Sequence, residues 1–396
     1  MAGIGAGSMI SADSHVVEPA EVLAGLAERF GDDAPRFVDH GELRDVMFVP
    51  ATGARGLPPA RLGIAGYRLD GPLAVDPTLR TKPDPEDPSH PAVVELGKGG
   101  FEVVRAGIAD PTERLTDQDL DGVRAEVLYP SLFFSVFGLP NPTIVTAAFA
   151  NYNAWMRDYC SVAPERLIGA ALVPLHDPEA GLTALRLAIE QGARTACIPC
   201  RAPADRPYRD AAYEPIWSLA EEAGIPLAMH IGTNAYAPTA PRAEGQASVK
   251  DSVGNYAGAA SIIQKTVSEL ICQGVVARHP NLNFVVAEFN AGWLSNWLER
   301  LDQGWMRDPS AVDDAVDRPP SSYWSTNFKI TIEDDRSAVL CRELIGVDTI
   351  MWGNDYPHRD STWPCSRGVV ESVMDGVSAD DQAAMTSGTA AAIYGV

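Results

Sequence analysis

Cysteine and positive charge are both scarce in this chain. Only 6 of its 396 residues are cysteine, too few and too scattered for a disulfide framework in a chain of this length. Lysine and arginine total 31 against 53 aspartate and glutamate residues, which gives a formal charge of -22. This charge has the wrong sign for neutralising phosphate groups. We therefore expect neither nucleic acid nor an anionic membrane as a partner.

The sequence also has no recognisable membrane or export segment. No apolar run approaches the ~18 residues of a transmembrane helix, and residues 1–10 lack the basic stretch of a signal peptide. We expect a cytoplasmic protein with reduced cysteines. One Cys-x-x-Cys pair, Cys197 and Cys200, lies on a predicted strand, where residues three apart point to opposite faces. Neither a redox nor a zinc site is favoured there.

What remains is an ordinary globular composition, with 46% hydrophobic and 21% charged residues. From about residue 122 onward, short apolar runs alternate with stretches of helical period, as in a parallel sheet of βαβ units. Together with the first run, the predicted strands are Met9–Ser14, Arg124–Ser131, Leu167–Leu175, Thr195–Cys200, Ile225–Ile231, Leu282–Glu288, Asn327–Ile332 and Thr349–Asn354. Eight strands with intervening helices predict an α/β fold, a (β/α)8 TIM barrel that residues 1–396 form as one domain.

A long insertion follows the first predicted strand. Residues 30–110 are rich in proline and glycine, and the runs Phe37–His40 and Leu43–Pro50 are typical of a small antiparallel flap. Pro72–Pro91 is typical of a polar extended loop. Because the segment leaves the carboxyl end of strand one, we expect it to cover the barrel mouth. A disordered decoration or an oligomer arm is the alternative.

Polar side chains stand at the ends of several predicted strands. Asp13 and His15 end the first strand, His230 ends the fifth, and the eighth runs into Asp355. The carboxyl ends of barrel strands converge on one mouth, so we expect these four side chains to meet. Two imidazoles and two carboxylates suit one borderline divalent cation, Zn²⁺ or alternatively Mn²⁺. Any one of them alone would be a turn former or a helix cap.

Two further groups lie beside this predicted metal site. Glu288 ends the sixth strand and is a candidate acid or base, with a structural carboxylate bound to backbone as the alternative. His358 comes three residues after Asp355, and we expect it to orient a ligand or the substrate rather than to bind the metal. Glu288, His358 and Asp355 form the predicted catalytic set.

Candidate substrate contacts follow other strands. Arg201 follows the fourth strand and is suited to pair with a substrate carboxylate, and His176 follows the third. The candidates for an aromatic wall are Phe133, Phe134 and Phe137, which follow the second strand, and Trp363; core packing is at least as good an explanation for them.

Five segments together resemble the amidohydrolase-related branch of the amidohydrolase superfamily, which includes aminocarboxymuconate-semialdehyde and γ-resorcylate decarboxylases. The segments are SADSHVVEP (11–19), DPTERLTDQDLDGVRAEVLYPS (110–131), MHIG (229–232), FVVAEFNAGWL (284–294) and WGNDYPH (352–358). The resemblance implies a distorted TIM barrel with one catalytic divalent metal, held by the residues Asp13, His15, His230 and Asp355. It also implies a homo-oligomer, either a dimer or a tetramer.

The sequence departs from this family at two positions. Glu288 stands where the best-known decarboxylases have a histidine. The first motif is Asp-x-His, where relatives have His-x-His or Glu-x-His, and aspartate remains a good metal ligand.

These residues predict a metal-dependent enzyme that decarboxylates a small carboxylated substrate, cyclic or aromatic, or cleaves a related C–C bond. Glu288 would protonate the carbon that loses the carboxylate. The close alternative is a hydrolase or hydratase in which Glu288 deprotonates water activated by the metal. A metal-free barrel that only binds a ligand is the third hypothesis.

Overall fold

Eight parallel strands form the central sheet, in the order β1-β5-β6-β7-β8-β9-β10-β11. The computed structural model describes residues 9–50, 53–55, 57–69, 73–79, 81, 91–234 and 252–396. The strands are β1 Met9–His15, β2 Arg36–His40, β3 Leu43–Val49, β4 Ala54–Arg55, β5 Val123–Tyr129, β6 Leu167–Leu172, β7 Thr195–Arg201, β8 Leu227–Asn234, β9 Phe284–Ala287, β10 Phe328–Ile332 and β11 Ile350–Trp352.

The two edges of the central sheet meet at the turn that follows β11. The backbone N–H of Asp355 donates to the Asp13 carbonyl at 2.8 Å, and the N–H of His15 donates to the Tyr356 carbonyl at 2.7 Å. β11 itself has only three residues, so these bonds just beyond it join the sheet edges. The predicted (β/α)8 barrel is confirmed, with an irregular seam between β11 and β1.

The eight predicted strands coincide with the eight barrel strands, apart from their ends. β6 ends at Leu172 rather than at the predicted Leu175, because Pro174 lacks the N–H that would continue the ladder. β9 ends at Ala287, since the next residue, Glu288, has a left-handed backbone with φ of 60°. Local backbone chemistry therefore shortens both strands at their carboxyl ends.

Helices connect the barrel strands, and further short helices lie in the insertion of residues 30–110 and in the loop after β5. They are α1 Leu26–Phe30, α2 Pro59–Leu62, α3 Pro91–Gly99, α4 Ala106–Ala109, α5 Pro111–Asp121, α6 Phe134–Phe137, α7 Pro142–Cys160, α8 Pro178–Glu190, α9 Glu214–Ala223, α10 Ser252–Ala257, α11 Ala260–Cys272, α12 Val275–Arg278, α13 Leu294–Arg307, α14 Pro320–Asn327, α15 Arg336–Leu340, α16 Arg342–Ile345, α17 Ser366–Val373, α18 Ala379–Ala383 and α19 Thr389–Tyr394. Asp177 illustrates how they begin, since its carboxylate caps α8 by accepting from the N–H groups of Glu179 and Ala180.

The insertion of residues 30–110 contains the small antiparallel sheet expected there, with strand order β2-β3-β4. A short 3₁₀ helix in the same segment contacts the loop after β11. The N–H of Ala65 donates to the Pro357 carbonyl at 3.1 Å, and the Arg68 guanidinium donates to the carbonyls of Ser361 and Arg359 at 3.2 and 3.1 Å. Residues 82–90 of the predicted extended loop lie outside the described residues.

The Cys-x-x-Cys pair lies within β7, and its two side chains belong to different core clusters. Both cysteines are free. Burial raises the pKa of the Cys200 thiol to about 11, and it raises that of Cys197 further. Two buried, neutral thiols on opposite strand faces form no metal or redox pair. Among the described helices, none combines the length and apolarity that a bilayer crossing requires.

Candidate metal centre

Two histidines and two aspartates converge at the carboxyl end of the barrel. β1 carries Asp13 and His15, β8 carries His230, and the turn after β11 carries Asp355; each is at most 1% exposed. The His15 Nε2 atom lies 3.2 Å from Asp355 Oδ1 and 3.7 Å from Asp13 Oδ1. The His230 Nε2 atom lies 3.2 Å from Asp13 Oδ1. The structure therefore brings together all four residues predicted as metal ligands.

Backbone carbonyls fix both imidazole rings. The Nδ1 atom of His15 lies 2.8 Å from the Pro130 carbonyl oxygen, and that of His230 lies 2.7 Å from the Ile231 carbonyl oxygen. A carbonyl oxygen only accepts hydrogen bonds, so each Nδ1 carries a proton, and in the neutral form of either ring Nε2 presents a lone pair. These lone pairs face carboxylate oxygens, and a cation between them would remove the repulsion.

Three buried atoms at this point have no hydrogen-bond partner among the described residues. They are His15 Nε2 and both carboxylate oxygens of Asp355. Burial lowers the pKa of His15, but the nearby carboxylates of Asp355 and Asp13 outweigh burial and raise it. The carboxylates of Asp13 and Asp355 therefore favour a positive charge nearby. Because the donor set is mixed nitrogen and oxygen, the residues fit one divalent metal ion.

Two carboxylates reach the centre from strained turns. Glu288 has φ of 60° and Asp355 has φ of 52°. For a non-glycine residue this left-handed conformation costs about 1 kcal/mol or more, and it is concentrated at functional sites. Hydrogen bonds hold both turns: Glu288 N–H donates to Thr331 Oγ1 at 2.8 Å, and Asp355 N–H donates to the Asp13 carbonyl.

Thr331 connects two of the carboxylate residues. Its hydroxyl donates to Asp13 Oδ2 at 2.8 Å while it accepts from the N–H of Glu288. The residue lies on β10 and is 1% exposed. Its polar side chain within the otherwise apolar end of this strand, ITI, is the sequence signal for such a role.

Glu288 and His358 lie on the accessible side of the four buried residues, with exposures of 19% and 16%. Glu288 Oε2 is 3.2 Å from His230 Nε2 and 3.6 Å from His15 Nε2. The Nδ1 atom of His358 is 3.2 Å from Asp355 Oδ1, and its ring stacks on His15 with centroids 3.8 Å apart. These two side chains are therefore placed to meet a molecule that enters the mouth.

The two neighbouring carboxyl groups have opposite protonation preferences. Burial and the charge of Asp355 raise the pKa of Glu288 to about 8. Burial also acts to raise the pKa of Asp355, but the nearby imidazoles of His358 and His15 outweigh it and hold that pKa below its usual range. One carboxyl group thus favours the acid form and the other the ionised form, a division typical of acid–base sites.

A sequence model of the family described as Amidohydrolase matches residues 134–396, more than half of the chain. The chain belongs to the amidohydrolase family. Among curated relatives, the γ-resorcylate decarboxylase of Rhizobium sp. (strain MTP-10005) is 23% identical over 238 residues, which cover 56% of this chain and 70% of that protein.

Solved structures show the same fold as this amidohydrolase. An amidohydrolase from Mycobacterium avium subsp. paratuberculosis K-10 superposes with a TM-score of 0.75 at 19% identity, over 98% of this chain and 99% of that one. The 5-carboxyvanillate decarboxylase of Novosphingobium aromaticivorans DSM 12444 has a TM-score of 0.65 at 18% identity, covering 98% and 96% of the two chains. That protein was crystallised with manganese and 4-hydroxy-3-methoxy-5-nitrobenzoic acid.

The loop after β5 brings two more residues to the amidohydrolase site. The Ser131 hydroxyl lies 2.8 Å from His358 Nε2. The Phe134 ring stacks on the imidazole of His230, with centroids 4.7 Å apart. Nothing in the composition of this loop separates these residues from their neighbours, so only the fold reveals their positions.

Of the four predicted aromatic residues, Phe134 contacts His230, whereas Phe133, Phe137 and Trp363 lie in the core. Phe133 is fully buried and packs against Tyr152 with ring centroids 5.3 Å apart. Trp363 is 1% exposed, packs against Tyr356 with the two rings tilted by 41°, and donates its indole N–H to the Asp117 carbonyl. These contacts agree with the packing explanation, and contact of these rings with a substrate stays a prediction.

The two polar substrate candidates follow or end β6 and β7. His176 binds the Phe137 carbonyl oxygen through Nε2 at 2.8 Å, and burial lowers the pKa of its imidazole, which favours the neutral ring. Arg201 is exposed at the carboxyl end of β7. Contact of either residue with a substrate stays a prediction.

Proposed function

We propose that this amidohydrolase is a divalent-metal-dependent decarboxylase of a small aromatic or cyclic carboxylate. The observation that carries the proposal is the position of Glu288, a partly exposed carboxyl group beside four buried residues that fit a metal ion. A substrate held at those residues would meet Glu288 at its reacting carbon. The decarboxylases among its relatives and structural neighbours support this substrate class.

Asp13, His15, His230 and Asp355 would hold the metal. A divalent cation bound there acts as a Lewis acid that binds the substrate carboxylate or an adjacent oxygen. The donor set leads us to expect Zn²⁺, with Mn²⁺ as the alternative. Because the 5-carboxyvanillate decarboxylase was crystallised with manganese, each ion should be tested separately in activity assays.

Glu288 would supply the proton. In a non-oxidative decarboxylation the bond between the carboxylate and the substrate carbon breaks, and CO₂ leaves without its bonding electron pair. That pair stays on the substrate carbon and takes the proton of the Glu288 carboxyl group. In the metal-free protein, burial and the charge of Asp355 raise the pKa of Glu288 and favour the acid form that this step needs, and its 19% exposure lets water restore the proton.

His358 would act beside Glu288 by orienting a metal ligand. Its Nδ1 atom lies 3.2 Å from Asp355 Oδ1, so an Nδ1–H donor there fixes the direction of that carboxylate. Hydrogen bonds of this kind, from a neighbouring side chain to a ligand, set ligand orientation and basicity.

Hydrolysis or hydration is the second candidate. It is favoured by the distances of 3.2 and 3.6 Å between Glu288 Oε2 and the two imidazole Nε2 atoms, which leave this carboxylate next to the position expected for a metal. In its ionised form the same group would serve as a base toward water.

The insertion of residues 30–110 would serve as a cover for this site. The contacts of Ala65 and Arg68 with the loop after β11 support this role, because that loop also carries His358. Arg201 and His176 remain candidate substrate contacts, and a homo-oligomer remains the expected assembly.

The deciding experiment uses water labelled with deuterium or with heavy oxygen. Protein loaded with Mn²⁺ or with Zn²⁺ is incubated with a panel of hydroxybenzoates and other cyclic carboxylates. Decarboxylation is expected to release CO₂ and to leave one solvent deuterium on the carbon that carried the carboxylate. Incorporation of heavy oxygen without CO₂ would instead establish hydrolysis.

A further inference from the structure

Glu18 is a fully buried carboxylate whose hydrogen bonds converge on one loop. Its two oxygens accept from the backbone N–H groups of Ser131, Leu132 and Phe133 at 3.1, 2.9 and 3.2 Å. Three backbone donors on one buried side chain fix the path of the loop after β5, because each bond would leave a buried group unsatisfied if broken.

That loop places two side chains, those of Ser131 and Phe134, against different histidines of the candidate metal centre. Ser131 Oγ lies 2.8 Å from His358 Nε2. Phe134 stacks on His230 with an interplanar angle of 27°. The Phe134 ring also packs over Gly232, where an added Cβ would lie 3.4 Å from the ring.

The hydrogen-bond partners of His358 define its tautomer. Its Nδ1 atom lies 3.2 Å from Asp355 Oδ1, an atom that accepts but does not donate, which favours the tautomer of the neutral ring with the proton on Nδ1. In that tautomer the Nε2 atom accepts from the Ser131 hydroxyl. The imidazole of His358 thus lies between the Ser131 hydroxyl and the Asp355 carboxylate.

A nucleophilic serine also requires free N–H donors that can bind an oxyanion. The backbone N–H groups of residues 131–133, which are the nearest candidates for binding an oxyanion, already donate to Glu18. The hydroxyl of Ser131 is therefore suited to orient the imidazole and not to attack a substrate.

We propose that Glu18 and Ser131 are positioning residues of the metal centre. Glu18 fixes the loop of residues 131–134; this loop orients His358 through Ser131 and His230 through the Phe134 ring. The inference rests on the metal centre of the proposed function. Its main measurement is made on metal-free protein without substrate, so it is decided separately from the reaction.

The first test follows imidazole nitrogen signals in protein labelled with ¹⁵N-histidine. The chain has 7 histidines, and His358→Gln and His230→Gln each identify one set of signals by its loss. Ser131→Ala is expected to shift the nitrogen signals of His358 and leave those of His230 in place. Phe134→Leu is expected to do the reverse, and Glu18→Gln to shift both sets.

Glu18→Gln is the informative substitution because it keeps the shape of the side chain but turns one oxygen into an N–H donor. That donor would face a backbone N–H donor of the loop. Glu21→Gln is the matched control, since Glu21 is exposed three residues away, and it is expected to leave both sets of signals unchanged.

The second test measures metal affinity by competition with a chelator. Changes to residues that orient metal ligands weaken binding by about 10–100-fold, so we expect Zn²⁺ to bind at least about 10-fold more weakly to Glu18→Gln than to Glu21→Gln. Unchanged imidazole signals and unchanged affinity in Glu18→Gln would overturn the proposal. If that variant does not fold, Ser131→Ala decides: unchanged His358 nitrogen signals there would equally overturn it.

Discussion

The backbone N–H of Asp355 donates to the carbonyl oxygen of Asp13 at 2.8 Å. The bond that joins the first and last strands of the barrel therefore also joins two predicted metal ligands. Arg114 reinforces the same seam, since its guanidinium donates to the His15 and Tyr356 carbonyls at 2.8 and 3.3 Å. Closure of the fold and assembly of the centre depend on the same few hydrogen bonds.

We first predict that purified protein binds about one tightly held divalent ion per chain, because four buried donor residues form one site. Asp355→Asn or His230→Ala is expected to lose most of this metal, measured by elemental analysis of protein expressed with zinc and manganese. His40→Ala, on an exposed position of β2, is the matched control. Wild-type protein without metal under these conditions would contradict the proposed enzyme as a whole.

The second prediction concerns Thr331. Thr331→Val keeps the shape of the side chain but leaves Asp13 Oδ2 and the Glu288 N–H without their shared partner, whereas Thr331→Ser keeps the hydroxyl. An unsatisfied buried group costs about 1–3 kcal/mol. We expect Thr331→Val to bind metal about 10–100-fold more weakly and Thr331→Ser to stay near the wild type. Equal metal affinities of the Thr331→Val and Thr331→Ser variants would show that the hydroxyl does not orient Asp13.

These residues also show what the sequence reveals and what it leaves out. Asp13, His15, His230 and Asp355 are predictable because each lies at or just beyond the end of a predicted apolar strand, and parallel strands bring their carboxyl ends together. Phe134 is not predictable in preference to Phe133, because both follow the same strand and only the turn decides which ring faces the site. Side-chain direction in a loop is set by tertiary hydrogen bonds that have no local pattern.

Glu18 is the clearest example of this limit. It lies three residues after His15 and directly before a proline, in a position that suits an exposed turn residue. Its partners are more than 110 residues away, at Ser131, Leu132 and Phe133. A buried carboxylate that serves distant backbone N–H groups becomes visible only when the barrel is assembled.

The third prediction concerns the stability of metal-free protein as pH changes. The pKa of Glu288 is raised from its ordinary 4.5 to about 8, so between these values the folded protein holds a proton that the unfolded chain has lost. The stability contributed by the neutral group is complete below pH 4.5 and is lost as pH rises to about 8. Relative to Glu288→Gln, the wild type should therefore become less stable over this range. Urea unfolding with a chelator present measures the free energy of unfolding of both proteins at each pH. A difference between them that is constant with pH would refute the prediction.

The fourth prediction concerns residues 30–110. If this insertion covers the mouth, a substrate or competitive inhibitor should slow hydrogen exchange in it more than in the outer helices such as α8. The peptide around Ala65 and Arg68 is the informative one, because it binds the loop that follows β11. Equal protection with and without ligand would favour the alternative of a decoration or an oligomer arm.

The last prediction concerns the role of Glu288 in turnover. Glu288→Gln keeps the size of the side chain and a polar group near His230 but removes the titrating proton. If Glu288 delivers the proton to carbon, kcat should fall by ~100-fold or more, while metal content stays near that of the wild type because the four buried ligands are intact. Glu179→Gln, an exposed position in the first turn of α8, controls for the loss of one negative charge.

An acid must be protonated to act and a base must be ionised, so activity that falls with rising pH through the Glu288 pKa supports decarboxylation, and activity that rises supports hydrolysis. Near-normal turnover in Glu288→Gln, with metal bound, would assign the proton transfer to another group.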